Sequence, residues 1–254
     1  LQEDLKKGVV PVITGFQGIN ESGDITTLGR GGSDTSAVAL AVALKAYECQ
    51  IYTDVDGVYT TDPRVYDRAK KIDKLSFEEM LELSSLGAKV LQIRSVEFAS
   101  KFNMPVRVLS SFNKGEGTLI DKEDENLENA IISGVTHTKN DSKLIIRHVP
   151  DVPGIAAKIL SPISNVGIEV DVIVQNVAED KTTDFTFTVK DYDAEKAAKI
   201  LKELSDELGG GNVELAKEIS KVSVVGVGMK SHAGVATKMF TALADKNINI
   251  DMIS

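Results

Sequence analysis

Tryptophan is absent from the chain and aromatic residues make up only 5% of it, so aliphatic side chains must build its cores. The single cysteine, Cys49, excludes an intramolecular disulfide and fits a reducing cytoplasm. The longest apolar run, Ala37 to Leu44, is far too short to cross a bilayer, so no membrane partner is expected. A basic stripe is also lacking, and the formal net charge of -9 argues against nucleic acid as a partner. Small anions can still be held locally by a few well-placed Arg and Lys side chains. No methionine, basic segment or signal-like core opens the chain at Leu1, and it stops at Ser254 inside an apparent strand, Asn249 to Ile253. The expectation is a piece of a longer protein. What is present, 254 residues with 42% hydrophobic and 26% charged content, suits a globular chain of two ordinary domains.

The first 120 or so residues alternate strand and helix signals. Val9 to Ile13 is a short apolar run opening into Gly15-Phe16-Gln17-Gly18. Ser36 to Tyr47 is Ala-rich and reads as a helix, with Ser33 and Asp34 as candidate caps. Gln50 to Val55 reads as a second strand. Ser76 followed by Glu79 is a capping-box pattern that starts a helix, and another helix is expected from Ala88 to Phe102. Pro105 to Leu109 gives a third strand. This alternation implies an α/β layered domain with a mostly parallel sheet.

Lys114 to Asn129 turns polar and reads as a linker. Beyond it the rhythm is α+β. Strands are expected around Leu144 to Ile146, at Glu169 to Val174 and at Asp184 to Val189, with a helix from Gly154 to Asn165 ended by Gly167. Ala197, Leu201, Leu204 and Leu208 share one helical face, with Gly209 as the cap. The most informative feature here is an internal repeat. Gly154-Ile155-Ala156-Ala157-Lys158 matches Gly234-Val235-Ala236-Thr237-Lys238, and Ile168 to Ile173 matches Ile248 to Ile253 at the same offset. The first copy reads as a complete βαββαβ unit and the second as a truncated one.

Two loops can carry chemistry. Thr26 to Asp34 includes Gly29, Arg30, Gly31, Gly32 and Ser33. Its glycines allow close backbone approach, the following helix offers free N–H groups to an anion, and Arg30 adds a donor fork. No Gly-Lys-Ser/Thr follows, so it is not a P-loop. A lone Gly-Gly pair would be a plain helix-capping turn, but Arg, Ser and Asp on the same turn favour a site. The second loop, Tyr52 to Arg64, follows a strand, where open α/β sheets place ligands. Taken alone its Asp-Gly and Asp-Pro pairs are ordinary turn signals, and Lys89, after Gly87, is by itself a surface lysine.

Together, Gly15 to Gly18, Thr26 to Asp34, Tyr52 to Arg64, Gly87 to Leu91 and Gly226 to His232 resemble the amino-acid kinase superfamily, and the aspartate kinases within it. The resemblance covers essentially the whole chain. It implies an αβα sandwich of the carbamate-kinase-like type, represented by its C-terminal, nucleotide-binding part over residues 1–122. It implies further that Arg30 and Ser33, on the Gly31-Gly32 turn, grip aspartate, and that Asp34 and Arg30 serve catalysis. Thr53, Asp54, Tyr59, Thr60, Arg64, Lys89 and Val90 then line ATP, whose phosphates carry Mg²⁺, with no metal site in the protein itself. The family's Lys-Phe-Gly-Gly segment, the source of its catalytic lysine, is not among these residues, so these residues alone are expected to be inactive.

The repeats resemble ACT domains, ferredoxin-like folds that bind amino acids between paired copies. The expected division is a linker with an extra strand at 123–141 that completes the second copy, a first ACT domain at 142–217 and a second at 218–254. The resemblance implies effector contacts at Asp151, Gly154, Ala156, Glu169, Asp171 and Gln175, with lysine, threonine or both as effectors. Glu169 departs from Asn249 in the second copy. Pro162 stands where that copy has Ala242, and an interior proline costs ~3 kcal/mol, so a kink or early helix end is expected. The implied activity is ATP-dependent phosphorylation of the aspartate β-carboxylate, the first step toward lysine, threonine and methionine, under feedback control. The implied assembly is a homodimer or an α2β2 complex joined through ACT domains. The alternative is a non-catalytic, amino-acid-binding regulatory chain of the same enzyme.

Overall fold

A computed structural model describes residues 1–123, 132–177, 181–208, 211–226 and 234–254. The chain forms two compact units, Leu1–Thr136 with Ser223–Met239, and His137–Val222 with Phe240–Ser254.

The first unit begins with α1 (Gln2–Lys6) and a hairpin of β1 (Gln17–Ile19) and β2 (Ile25–Thr27). Val9 to Ile13 does not form the expected strand. Val10 and Val12 lie 84% and 97% exposed, and no described residue offers this run a ladder of backbone partners. The Ala-rich segment does form a helix, α2 (Gly32–Leu44), which leads into β3 (Cys49–Thr53). Ser33 and Asp34 are not its caps: Gly31 holds the cap position in a left-handed conformation, and both residues lie in the first turn. A ribbon of β4 (Val58–Tyr59) and β5 (Lys71–Ile72) follows, then β6 (Lys74–Ser76) and α3 (Phe77–Ser85). The capping box at the start of α3 forms as read. The Ser76 hydroxyl accepts from the Glu79 amide, and the Glu79 carboxylate accepts from the Ser76 amide at 2.9 Å.

The next helix, α4 (Ile93–Lys101), starts five residues later than expected from Ala88. Gly87 adopts a φ of +113°, and the Ala88 amide closes back on the Leu83 carbonyl, so the chain must make a loop before it can turn again. β7 (Val106–Ser110) and β8 (Thr118–Asp121) complete a sheet of order β3-β7-β8-β6. β3–β7 and β6–β8 are parallel and β7–β8 is antiparallel. β8 occupies part of the stretch read as a linker. Thr118 and Ile120 are fully buried, and the Thr118 hydroxyl donates to the Ile72 carbonyl and accepts from the Val58 amide, which explains a polar residue inside a core strand. Val38, Leu75, Phe77, Met80, Val96 and Val108 are among the side chains that fill this core.

The second unit takes its sheet from β9 (Gly134–Pro150), β10 (Ile173–Val177), β11 (Thr182–Lys190) and β12 (Val213–Val225), in the order β10-β11-β9-β12. α5 (Ile155–Asn165) and α6 (Asp191–Glu207) make the connections, giving βαββαβ, and α7 (Val235–Ala244) follows. Leu144 and Ile146 of β9 and Phe185 and Phe187 of β11 alternate inward to meet Ile159 and Ile163 of α5 and Ala197 and Leu201 of α6. Leu204 and Leu208 pack partly buried against the same core.

Four expectations differ here. β10 begins at Ile173, although the Asp171 amide already donates to the Thr188 carbonyl ahead of it. Asn249 to Ile253 forms no strand among the described residues. The segment Ser133 to Val135 is not separate from the first strand of the repeat: Gly134 already begins the 17-residue β9. α5 neither kinks to a stop nor ends at Pro162, but runs on to Asn165. Ile155, Ile159 and Ile163 bury a stripe on both sides of the proline, and that burial outweighs the lost backbone bond. Gly209, read as a cap, Ile131 and most of the Gly226 to His232 motif lie outside the described residues.

Pro162→Ala is therefore expected to stabilise the protein, by up to ~3 kcal/mol. A higher urea midpoint with an unchanged slope is the expected result, and a lower midpoint would contradict it.

Candidate functional site

The site follows from the direction of two helices. α2 precedes β3 and α4 precedes β7, and the two strands are parallel neighbours. Each helix therefore runs back against its strand, which brings both helix N-termini to the carboxyl edge of the sheet. Open α/β sheets bind ligands at this edge, and helix N-termini favour anions there. The Ser111 amide donates to the Thr53 carbonyl at 2.8 Å, which ties the two strand ends together.

The turn leading into α2 is held tightly. Gly31 has a φ of +75°, and a Cβ placed there would stand 2.1 Å from Gln92 Cγ. A Cβ at Gly32 would meet Leu28 at 2.8 Å. α2 has no side-chain cap, and among the described residues the amides of Ser33 and Asp34 have no hydrogen-bond acceptor. Arg30 and Ser33 are exposed beside these amides. Asp34 is half-buried, and burial raises its carboxyl pKa, against the opposing effect of the Gln92 N–H that donates to it. The turn, its basic side chain, its free amides and an acidic group thus lie within five residues.

Two residues that pattern reading missed complete the arrangement. Gln92 fills the space over Gly31, and Arg94 Nη2 donates to the carbonyls of Leu28 at 2.7 Å and Arg30 at 2.9 Å. A signal was present: an arginine in the first turn of a helix opposes the helix dipole and needs another reason to be there.

Thr53 ends β3 and Asp54 follows it, at the same edge. Lys89, exposed, and Val90, half-buried, lie in the loop before α4 rather than in a helix. Tyr59 is on β4, and its hydroxyl donates to Asp56 at 2.9 Å, a bond that raises the phenol pKa. Arg64, 82% exposed, is folded onto Asp62 by bonds of 3.0 Å from Nε and 2.9 Å from Nη2. The Thr60 hydroxyl accepts from the Lys70 amide, and Thr60 borders an open cleft of about 360 Å³ with Thr61, Tyr66 and Ser133. Cys49 is buried and its thiol is pushed up to about 11, first by burial and then by Asp34 and Glu48, so it is no nucleophile at neutral pH.

In the second unit, Gly154 caps α5 with a φ of +89° and leaves its first-turn amides without a side-chain cap. Ala156 is half-buried, and Asp151, Glu169 and Gln175 are exposed, Gln175 on the edge strand β10. Asp171 already has a partner: Lys221 of β12 forms an ion pair with its carboxylate. Any ammonium group directed to Asp171 must share or displace that lysine.

No described helix is long and apolar enough to cross a membrane. Residues 1–110 match the amino acid kinase family, and residues 143–209 and 222–254 match ACT domains. An aspartate kinase of Pseudomonas putida is 62% identical over all of this chain, and an aspartokinase of Pseudomonas aeruginosa 61%. The chain spans 62% of the length of each. Among solved structures, Clostridium acetobutylicum aspartate kinase superposes with a TM-score of 0.85 at 29% identity, over 100% of this chain and 59% of that one. Escherichia coli aspartokinase III, in complex with aspartate and ADP, gives 0.76 at 31%, over 99% and 55%.

The raised carboxyl of Asp34 has a consequence for stability. A folded pKa above the unfolded value means that ionised Asp34 costs stability at neutral pH, and the cost disappears as pH falls below the ordinary carboxylate range. Asp34→Asn should therefore melt at a higher temperature than wild type at pH 7, with the gap closing toward about pH 4. A gap that widens on acidification would contradict the burial argument.

Proposed function

Because the chain belongs to the aspartate kinase family, we propose that the protein transfers the γ-phosphoryl group of ATP to the β-carboxylate of L-aspartate. The observation that carries this reading is the uncapped, anion-seeking turn at Gly29 to Asp34, set at the sheet edge beside the Tyr52 to Arg64 loop. One carboxylate oxygen forms a bond to the γ-phosphorus as the bond to the bridging oxygen of ADP breaks. Both reactants are anions, so the protein's task is positioning and neutralisation of charge. Arg30, with the free amides of Gly31 and Ser33 on either side of Gly32, holds the aspartate. Asp34, kept near the turn by the Gln92 amide, orients the cationic groups around the transferring phosphoryl.

Thr53, Asp54, Tyr59, Thr60, Arg64, Lys89 and Val90 serve ATP in this reading. Arg64 leaves Asp62 or shares its fork to reach phosphate oxygens, and the cleft beside Thr60 is of a size for a small-molecule group. Among the described residues no three His, Cys, Asp or Glu side chains converge as a metal site. In this reading Mg²⁺ comes with the ATP phosphates, where it neutralises charge. Escherichia coli aspartokinase III has been solved with lysine and aspartate, which supports an amino-acid effector here too. Lysine or threonine would bind at the start of α5, with its carboxylate on the amides after Gly154 and its polar groups meeting Asp171 and Gln175, between ACT units of a homodimer or an α2β2 assembly. The reaction would open the route to lysine, threonine and methionine in the cytoplasm.

The direct test supplies the full-length protein with ATP, Mg²⁺ and aspartate, acetylglutamate or uridylate, and follows ADP release with each acceptor and hydroxamate trapping of the acyl phosphates. Product from aspartate alone is expected, and preference for another acceptor would refute the reading.

Arg30→Ala should raise the aspartate KM about ten- to a hundredfold, the effect of losing a charge-assisted bond to a carboxylate, and should change the ATP KM far less. Equal effects on both substrates would remove Arg30 from the aspartate site. Gln175→Ala and Asp171→Ala should leave kcat nearly intact while raising the lysine or threonine concentration needed for half-inhibition. Wild-type inhibition in both variants, with each amino acid singly and together, would exclude this effector site.

A further inference from the structure

Arg94 sits in the first turn of α4, outside the turn that carries the proposed substrate contacts, and its position is costly. A cation at a helix N-terminus opposes the helix dipole, and this side chain is exposed. What it does is specific. One nitrogen, Nη2, donates to two carbonyls of the glycine turn, those of Leu28 at 2.7 Å and Arg30 at 2.9 Å. The platform beneath it is rigid: Ser95, 2% exposed, bonds through both its amide and its hydroxyl to the Gln92 carbonyl, at 3.0 and 2.7 Å.

Peptide geometry turns this clamp into an aiming device. In a trans peptide the carbonyl and the following N–H point in opposite directions. Fixing the carbonyls of Leu28 and Arg30 toward Arg94 therefore aims the amides of Gly29 and Gly31 away from it. Among the described residues neither amide has a hydrogen-bond acceptor. Gly29 and Gly31 both hold a φ of +75°, a conformation that lets successive amides converge on an anion.

We propose that Arg94 is a positioning residue for the acceptor substrate: by holding the carbonyls of Leu28 and Arg30 it sets the Gly29 and Gly31 amides and the Arg30 side chain to receive the substrate carboxylate. The proposal rests on the reading of this turn as the aspartate site. It separates Arg94 from the nucleotide loop, to which none of its bonds go, so its effect falls on one substrate.

The test compares Arg94→Ala, Arg94→Lys and Arg30→Ala in the full-length enzyme by aspartate KM, ATP KM and melting temperature, and adds, for the wild type and the two Arg94 variants, the rate at which trypsin releases the peptide ending at Arg30. Arg94→Ala should raise the aspartate KM tenfold or more and leave the ATP KM within twofold. Melting should stay near wild type, and cleavage after Arg30 should accelerate as the turn loosens. Arg94→Lys, which keeps a charged donor but not the fork, should fall between. Two outcomes overturn the proposal: an aspartate KM within twofold of wild type, or both KM values rising together with a lower melting temperature and an unchanged cleavage rate. If Arg30→Ala selectively weakens aspartate while Arg94→Ala does not, the proposal fails and the site reading stands. If the wild type does not use aspartate, the site reading fails, and the cleavage rate still decides whether Arg94 orders the turn.

Discussion

There is no room for a side chain at residue 31. Gly31 lies against Gln92 so closely that a Cβ would overlap it, and its backbone is left-handed. That contact fixes the start of α2 against the start of α4, and the rest of the site depends on it. With Gly31 in the cap position no side chain satisfies the start of α2, and among the described residues the amides of Ser33 and Asp34 remain available to a ligand, while that of Gly32 is taken by the Gly29 carbonyl. The same approach places Gln92 where its amide meets Asp34 and Arg94 where it meets the turn. Asp34 is held in a half-buried place that raises its carboxyl pKa, the kind of locally unfavourable arrangement that functional sites retain.

The second unit repeats the logic in a simpler form. Gly154 again caps a helix through a left-handed conformation with no side chain, and among the described residues the amides of Ala156 and Ala157 have no acceptor, while that of Ile155 donates to the Val152 carbonyl. There the surrounding charge is already partly used, because Lys221 holds Asp171. An effector at that helix would meet a site whose acidic group is occupied in the absence of ligand, so binding includes an exchange of one ammonium for another. A ligand shifts an equilibrium only through such differential contacts.

Much of this was legible from local chemistry. The Ser76–Glu79 box, the Ala-rich α2, the glycine turn and the βαββαβ order of the first repeat each come from residues close in sequence whose pattern has one physical solution. The failures share a cause, which is contact with distant residues. Val9 to Ile13 has strand composition but no neighbour to pair with among the described residues. Thr118 looks like linker and is core, because Ile72 and Val58 satisfy its hydroxyl. Pro162 looks like a helix stop, but isoleucines on either side of it hold α5 to the core. Lys89 and Val90 sit in a loop because Gly87 and the Ala88–Leu83 bond delay α4. Arg94 lies more than sixty positions from the carbonyls it holds, and only its unfavourable place on a helix hinted at a role.

The proposed activity stands or falls on whether the free amides and Arg30 at the start of α2 receive the carboxylate of the acceptor substrate. A crystal structure of the full-length protein with aspartate and a non-hydrolysable ATP analogue tests it most directly. A carboxylate of aspartate is expected within hydrogen-bond distance of Arg30 and the Ser33 amide, with the nucleotide phosphates beyond it toward Thr53 and Lys89. Aspartate bound elsewhere, or nucleotide phosphates seated on the Gly31 turn in its place, would contradict it.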